Sequence, residues 1–365
     1  MIARLLRRLF AHLDGPLLGL LALLLLISLA TVYSASGASP EKMVAHLRNI
    51  GIALTAMFLV SHIPPQRLMQ FAPPVYVLGV LLLVGVALFG VVVNGSRRWL
   101  DLGLARIQPS ELMRLAGPMM LAWYFHYKQS TLGPRDFVLA AVLLALPVGF
   151  IAKQPDLGTS LLITASGFYV LFLAGLSWKV MVAGAVTAGA ALPLAWNYLL
   201  HDYQRQRVMT LVDPMSDPLG AGYHIIQSTI AVGSGGMAGK GWMGGTQAHL
   251  DFLPERSTDF IFAVFSEEFG LVGNLFLLIL YAAIIGRGLW LAASAPSLFG
   301  RLLAGSIVLT FFTYAFVNMG MVSGILPVVG VPLPLVSFGG TSMLTVLAGF
   351  GILMSLATHK KLVKT

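Results

Sequence analysis

The chain has 365 residues, 57% of them hydrophobic and 10% charged, with a mean hydropathy of +0.85 and a formal net charge of +9. A soluble domain carries about 25% charged residues, so a water-soluble globule is excluded, and the absence of cysteine excludes disulfides and thiolate-bound metals. The positive charge does not mark a nucleic-acid binder, because the basic residues are dispersed over many short loops rather than gathered in one patch.

A helix needs about 20 apolar residues to cross the hydrocarbon of a bilayer. In chain order, candidate runs lie at roughly 15–34, 44–62, 73–93, 110–127, 136–152, 158–175, 179–199, 259–286, 302–326 and 339–357. They are continuously apolar rather than alternating, which favours helices over a barrel. Arg4, Arg7 and Arg8 before the first run also suit a signal peptide, but no small-residue cleavage site follows and further spans do, so a retained first span is expected. The fold class expected is all-α: a polytopic membrane protein of about ten transmembrane helices, one domain over 1–365, with no internal repeat. The stretch from about 200 to 258 breaks the pattern. It is polar, rich in Gly, Asp and Arg, and too long for a connector, so it reads as one large extracytoplasmic loop.

With both termini in the cytoplasm, twelve Lys and Arg fall inside, ten fall outside, and Arg114 lies within a span. The bias is weak, and the outside set is concentrated in two loops. An anionic ligand on the outer face would account for it. So would pairing with the outside acids Asp101, Asp156, Asp202, Asp213, Asp217, Asp251 and Glu255. Both readings stay open on composition.

Four polar segments can carry chemistry. Residues 94–111 set Arg97, Arg98 and Arg106 in one short loop, followed by Gln108. Ser110 after Pro109 can cap the next helix, with Glu111 in its first turn. Arg114 at i+3 can pair with Glu111, and a charged pair inside a span is costly enough to point to function. Lys153-Gln-Pro-Asp156 reads, taken alone, as a Pro-Asp turn with Asp156 capping a helix. The long loop holds a basic stretch at 203–208 and a Gly-rich run at 233–247 with Lys240. Such a run can aim backbone amides at phosphate or simply be flexible; it is not a Walker motif. In residues 252–264, Pro254 ends the loop and Ser257 or Thr258 can cap the following span, which puts Asp259 at its outer end. A carboxylate there is either a partner of the helix dipole or a general base facing a membrane-bound substrate. Glu267 and Glu268, about two turns deeper, must be paired, shielded or functional. The eight histidines show no metal-ligand spacing, and no His-Glu-x-x-His or Gly-x-Ser-x-Gly occurs.

In this order and over essentially the whole chain, these segments resemble the SEDS family of shape, elongation, division and sporulation proteins. The most specific parts are Arg98-Trp99 through Gln108-Pro-Ser-Glu111, Lys153-Gln-Pro-Asp156 and Leu253-Pro-Glu-Arg-Ser-Thr-Asp-Phe260. Gly330-Val-Pro-Leu-Pro-Leu-Val-Ser-Phe-Gly-Gly340 is similar to the family's last-loop signature. Gly245-Thr-Gln247 and Glu255-Arg256 resemble the elongation branch, RodA, more than the division branch, FtsW. Arg114 departs from the pattern, since the family usually has Lys there; the charge is kept and the geometry is not.

The resemblance implies a peptidoglycan glycosyltransferase that polymerises lipid II into β-1,4 glycan strands during elongation and shape maintenance. It would act on the outer face of the cytoplasmic (inner) membrane, with a class B penicillin-binding protein as transpeptidase partner within the elongation machinery. The residues agree: a pyrophosphate substrate needs Arg and Lys beside the membrane, and a polyprenyl tail needs lipid. On this basis Asp259 is expected to deprotonate the acceptor hydroxyl, a role worth about 10²–10⁴ in rate. Arg98, Arg106, Lys153 and Lys240 are expected to hold the leaving pyrophosphate. Gln108, Glu111, Arg114, Asp156 and Glu255 are expected to complete the substrate-binding constellation. A divalent cation, Mg or Mn, on the pyrophosphate is an added expectation for which no ligand set is legible. The rival classes are a lipid II flippase and a non-catalytic scaffold for a transpeptidase. Transporters typically show repeats and broken helices meeting near the midplane, and neither is legible in the sequence.

Overall fold

The computed structural model describes residues 12–93, 96–101, 106–154, 156–199, 202–218, 220–250, 252–253 and 255–359. The expectations attached to Arg4, Arg7, Arg8, Asp251, Pro254, Lys360, Lys361 and Lys364 lie outside the described residues, as does Pro155 in the Lys153–Asp156 turn.

Each expected apolar run forms a helix. The first three are α1 (Gly15–Ala35), α2 (Pro40–Ser61) and α3 (Pro65–Phe89). A small antiparallel ribbon follows, of β1 (Val91–Val93), β2 (Ser96–Asp101) and β3 (Arg106–Ile107), with Val92 opposite Arg97 and Asp101 opposite Arg106. Then come α4 (Pro109–Lys128), α5 (Pro134–Lys153), α6 (Leu157–Leu173) and α7 (Trp178–Leu194), the last running into a π-helical turn, Ala195–Leu199. The long polar segment is not structureless. It contains α8 (Asp202–Val212), a 3₁₀ turn (Pro214–Ser216), α9 (Ala221–Ser234) and a single turn, α10 (Thr246–His249). The chain ends in α11 (Ile261–Ala293), α12 (Leu298–Val322) and α13 (Gly340–Thr358). Seven of these helices, α1, α2, α3, α5, α11, α12 and α13, are long and apolar enough to cross a membrane; α6 and α7 are shorter, and α4 carries polar residues. The fold class is all-α, as expected.

Local chemistry explains where the helices start. Proline stands in the first turn of α1 to α5, where its missing N–H is no loss. Asp14, Ser39, Asp156 and Ser297 cap α1, α2, α6 and α12 through side-chain oxygens that accept from the first-turn amides. α3 begins well before the expected residue 73: Pro73 and Pro74 lie inside it. Prolines are tolerated within membrane helices, because neighbouring helices and local backbone adjustment satisfy the freed groups.

α12 is the hub, packing against α4, α6, α11 and α13, while α13 lies along α2 and α1 lies along α11. Phe125, Leu121, Phe299 and Phe350 are fully buried among them. Small residues permit the close approaches that membrane helices rely on: a β-carbon at Gly351 of α13 would lie 2.5 Å from the Met57 carbonyl oxygen of α2.

α11 corrects the expectation of unbroken helices. It is interrupted at Gly270, whose φ of 61° and ψ of −161° are not helical. The run that follows α9 fills the break. Lys240 N and Gly241 N donate to the carbonyls of Glu267 and Glu268, both at 3.0 Å, and Leu271 N and Val272 N donate to Gly236 O and Met237 O at 2.9 and 3.1 Å. The Gly-rich stretch is therefore an inserted segment fastened to a broken helix rather than a flexible loop.

Candidate active site

Two polar clusters flank the loop at 329–331, one at the ribbon and the α5–α6 turn and the other at the turn before α11. The first is built on α4 and α6. The cap of α4 is Gln108, in extended conformation and without a side-chain cap bond; Ser110 is buried in the first turn and does not cap. This corrects the expectation for Ser110, and follows from Pro109 occupying the first helical position. Glu111 is thus free to turn to Arg114, whose Nη1 lies 2.7 Å from Glu111 Oε2, with 8% and 12% of the two side chains exposed. Arg114 also reaches Ser342 Oγ of α13 at 3.4 Å and lies 4.4 Å above the ring of Tyr314 of α12. One guanidinium therefore links α4, α12 and α13. From the ribbon, Arg98 Nη1 approaches Asp156 Oδ2 at 3.5 Å. Asp156 uses its other oxygen to cap α6 through Thr159 N at 3.1 Å, so its expected capping role holds alongside the ion pair.

The second cluster is the turn before α11. That helix starts at Ile261 with Phe260 as its cap, so neither Ser257 nor Thr258 caps it, against expectation. Their groups are used elsewhere: Thr258 Oγ1 donates to Glu255 Oε2 at 2.9 Å, and Ser257 O accepts Phe338 N at 2.8 Å. Glu255 adopts φ +50°, a left-handed conformation that a non-glycine residue holds only when its surroundings impose it. Asp259 is half-buried beside it. Burial, reinforced by the negative charge of Glu255, raises its carboxyl to about 6. A carboxylate so perturbed, at the mouth of a bundle, suits a base that works near neutral pH. His224 of α9 stacks on Phe260, with ring centroids 5.6 Å apart, and burial lowers its imidazole against the opposing charge of Glu255. Nothing in the sequence singles out His224, which lies in no motif.

The clusters meet across residues 329–331. A β-carbon on Gly158, in the first turn of α6, would lie 2.8 Å from Val329 O, and one on Gly330 would lie 3.4 Å from Asp259 Oδ2. The loop with the Gly330–Gly340 signature thus separates the Asp156 turn from Asp259 by little more than its own thickness.

Three expected residues stand apart. Lys153 is exposed at the end of α5, and among the described residues it makes no ion pair. Arg106 belongs to β3, but its side chain lies outside the described part. Lys240 is not presented to the clusters: its Nζ lies 2.6 Å from Glu267 Oε1 and 3.0 Å from Thr246 Oγ1. Glu267 also accepts Thr246 N at 2.9 Å, and Glu268 is reached by the Ser34 hydroxyl. The two acids of α11 are therefore paired and shielded. Among the described residues no three His, Asp or Glu converge on a metal site. Glu111 and Asp156 are each engaged by an arginine.

The cell cycle protein family of FtsW, RodA and SpoVE matches residues 10–362. The chain is 52% identical over 351 residues to the peptidoglycan glycosyltransferase MrdB of Escherichia coli strain K12, covering 96% of this chain and 95% of that protein. It is similar to a solved chain from a peptidoglycan synthase complex that coordinates polymerization and crosslinking, with a TM-score of 0.81 and 34% identity over 94% of this chain and 97% of that one. It is also similar to the crystal structure of the rod shape determining protein RodA of Thermus thermophilus, with a TM-score of 0.71 and 28% identity over 94% and 96%.

Proposed function

The chain belongs to the FtsW, RodA and SpoVE family, and from that premise we propose how its site works. The protein is a peptidoglycan glycosyltransferase of cell-shape determination. Its substrate in our reading is lipid II, held at the outer face of the cytoplasmic membrane with both termini of the chain in the cytoplasm. Asp259 takes the proton from the 4-hydroxyl of the acceptor sugar, and that oxygen attacks the anomeric carbon of the donor. Undecaprenyl pyrophosphate leaves from the opposite face, so the linkage inverts from α to β-1,4 in one displacement.

The observation that carries this reading is the raised carboxyl of Asp259 on one side of the Val329–Val331 loop, with the Arg98–Asp156 pair on the other. The base and the cationic group lie on either side of that loop, so the substrates reach over it, the acceptor presenting its hydroxyl to Asp259 and the donor its pyrophosphate to Arg98. Arg98 and the Arg106 and Lys153 positions supply the charge for the pyrophosphate, whose developing negative charge is the larger demand on the site. Glu111 and Arg114 brace α4 against α12 and α13. A Mg or Mn ion belongs, in this reading, to the pyrophosphate rather than to the protein, and no step runs through it. A class B penicillin-binding protein receives the strands for cross-linking.

The break in α11 is the one feature that favours transport, since transporters place ions and substrates at such breaks. Here four backbone groups flanking Gly270 bond to residues 236–241 of the same chain, so protein fills the part of the break that a transporter would give to an ion. The deciding experiment is polymerisation of lipid II by the purified protein with a class B partner blocked in cross-linking. Long strands from wild type and none from folded Asp259→Ala support the mechanism. Normal strands from Asp259→Ala remove the base, and no strands from wild type under any partner condition return the flippase reading.

A further inference from the structure

Asn318 lies in α12, the hub helix, and is fully buried. Its side-chain nitrogen donates to two backbone carbonyls that belong to different loops: Asp259 O at 2.8 Å and Val331 O at 2.7 Å. An amide nitrogen has two hydrogens, and both are used. The same two loops are joined at a second place. Ser337 Oγ donates to Thr258 O at 2.6 Å and accepts Leu333 N at 2.8 Å, while Phe338 N donates to Ser257 O at 2.8 Å. Residues 257–259 are thus stitched, carbonyl by carbonyl, to the 331–338 loop, and Asn318 anchors the stitch to the helix at the centre of the bundle. One turn earlier on the same face, at i−4, stands Tyr314, whose ring carries Arg114. α12 therefore presents one residue to each cluster.

We propose that Asn318 is a positioning residue of the polymerase. By holding the backbone of Asp259 and the carbonyl of Val331 on one side-chain amide, it fixes the base against the loop that separates it from the Arg98–Asp156 pair. Asn318 touches no reacting atom in this proposal; it acts through Asp259. The geometry asks for an amide there: aspartate would face two carbonyls with no donors, and leucine would leave both unpaired. The proposal rests on the reading of Asp259 as the base.

The test compares wild type with Asn318→Leu, which keeps the branched shape of Asn but has no donor, and Ser337→Ala, which loosens the same stitch from the other loop. The Asp259 carboxyl band is identified by its absence in Asp259→Asn and titrated by infrared difference spectroscopy in the full-length protein. Polymerisation of lipid II is followed in parallel with the class B partner. With the turn held, the wild-type midpoint lies at about 6. Opening the turn to water moves the midpoint down in Asn318→Leu, with a smaller movement in Ser337→Ala. Misplacing the base should lower kcat by about 10- to 100-fold with KM for lipid II unchanged, and the acid limb of the rate profile should follow the midpoint. A midpoint that stays at its wild-type value in both variants overturns the proposal, whatever the rate. Should Asn318→Leu fail to fold, Ser337→Ala decides by the same criterion. The infrared midpoint reads the turn even if wild type makes no glycan, so failure of the polymerase reading and failure of the positioning role are told apart.

Discussion

Lys240 Nζ donates to Glu267 Oε1 at 2.6 Å, and that oxygen also accepts the amide and the hydroxyl of Thr246. Glu267 is wholly buried. Its neighbours fasten the inserted run to the broken helix, so the pair is a clasp between two segments rather than a surface contact. Removing the lysine alone strands a buried carboxylate, which costs on the order of 3 kcal/mol or more. Lys240→Met is therefore expected to lower the melting temperature of the purified protein markedly. The double variant Lys240→Met/Glu267→Gln removes the stranded charge and should recover much of that loss. If the double variant melts no higher than the single one, the clasp is not what holds the segment.

Gly270 and Gly286 lie on the same helix and respond oppositely to a methyl group. A β-carbon at Gly270 would sit 2.3 Å from Gly239 N, and the residue holds φ +61° with ψ −161°. Gly270→Ala should cost on the order of 1–3 kcal/mol from the backbone alone, and more from the collision. Gly286 meets nothing within 4 Å and is helical, so Gly286→Ala should be neutral or slightly stabilising. Thermal unfolding of both variants in one detergent makes the comparison. Equal effects would show that the break is not specified by glycine.

The contrast between these glycines marks where the sequence was legible. Some features follow from neighbouring residues: the apolar runs and Asp156 before Leu157 could be read directly, and so could the i, i+3 pair of Glu111 and Arg114, whereas the caps of α4 and α11 fell on residues other than those expected. The break at Gly270 could not, because it exists only where residues 236–241 return to bond with it, some 30 positions away in sequence. Lys240 looked available for phosphate because its partner Glu267 is remote in the chain. Asn318 and His224 carried no local signal, since a buried Asn or His becomes informative only when the groups it meets are known. Resemblance found the motif residues, and packing found the residues that hold them.

The acid limb of activity should report Asp259. A base must be ionised, so kcat/KM should fall as pH drops through about 6. Glu255→Gln removes the negative charge that helps raise this carboxyl, and the limb should move to lower pH. Stability should run the other way. The folded state binds the Asp259 proton more tightly than the unfolded chain does, so stability falls as pH rises from about 4 to about 6 and stays reduced above that. Asp259→Asn removes the effect and should stabilise the protein at pH 7.5 by on the order of 1–3 kcal/mol, while making no glycan. An acid limb that does not move in Glu255→Gln, or an Asp259→Asn protein that melts no higher than wild type, would show that the carboxyl is not raised in the folded protein.

Arg114 tests whether charge or shape braces the first cluster. Its guanidinium makes three kinds of contact at once: the 2.7 Å ion pair with Glu111, the 3.4 Å contact to Ser342 Oγ, and the stacking over Tyr314. Lysine can keep the ion pair, but its compact ammonium cannot serve Glu111, Ser342 and the tyrosine face together. Loss of a cation–π contact at a desolvated site is worth roughly 1–2 kcal/mol, whereas loss of the charge leaves Glu111 unpaired in the bundle at about 3–5 kcal/mol. Arg114→Lys should therefore fold, polymerise lipid II at a reduced rate and melt slightly lower. Arg114→Met should be poorly stable and inactive, and Arg114→Met/Glu111→Gln should regain stability without regaining activity. A double variant that polymerises as wild type does would mean that the pair serves only the packing of α4 against α12 and α13. An inactive but stable Arg114→Lys would mean that the fork of the guanidinium, and not its charge, is what the site requires.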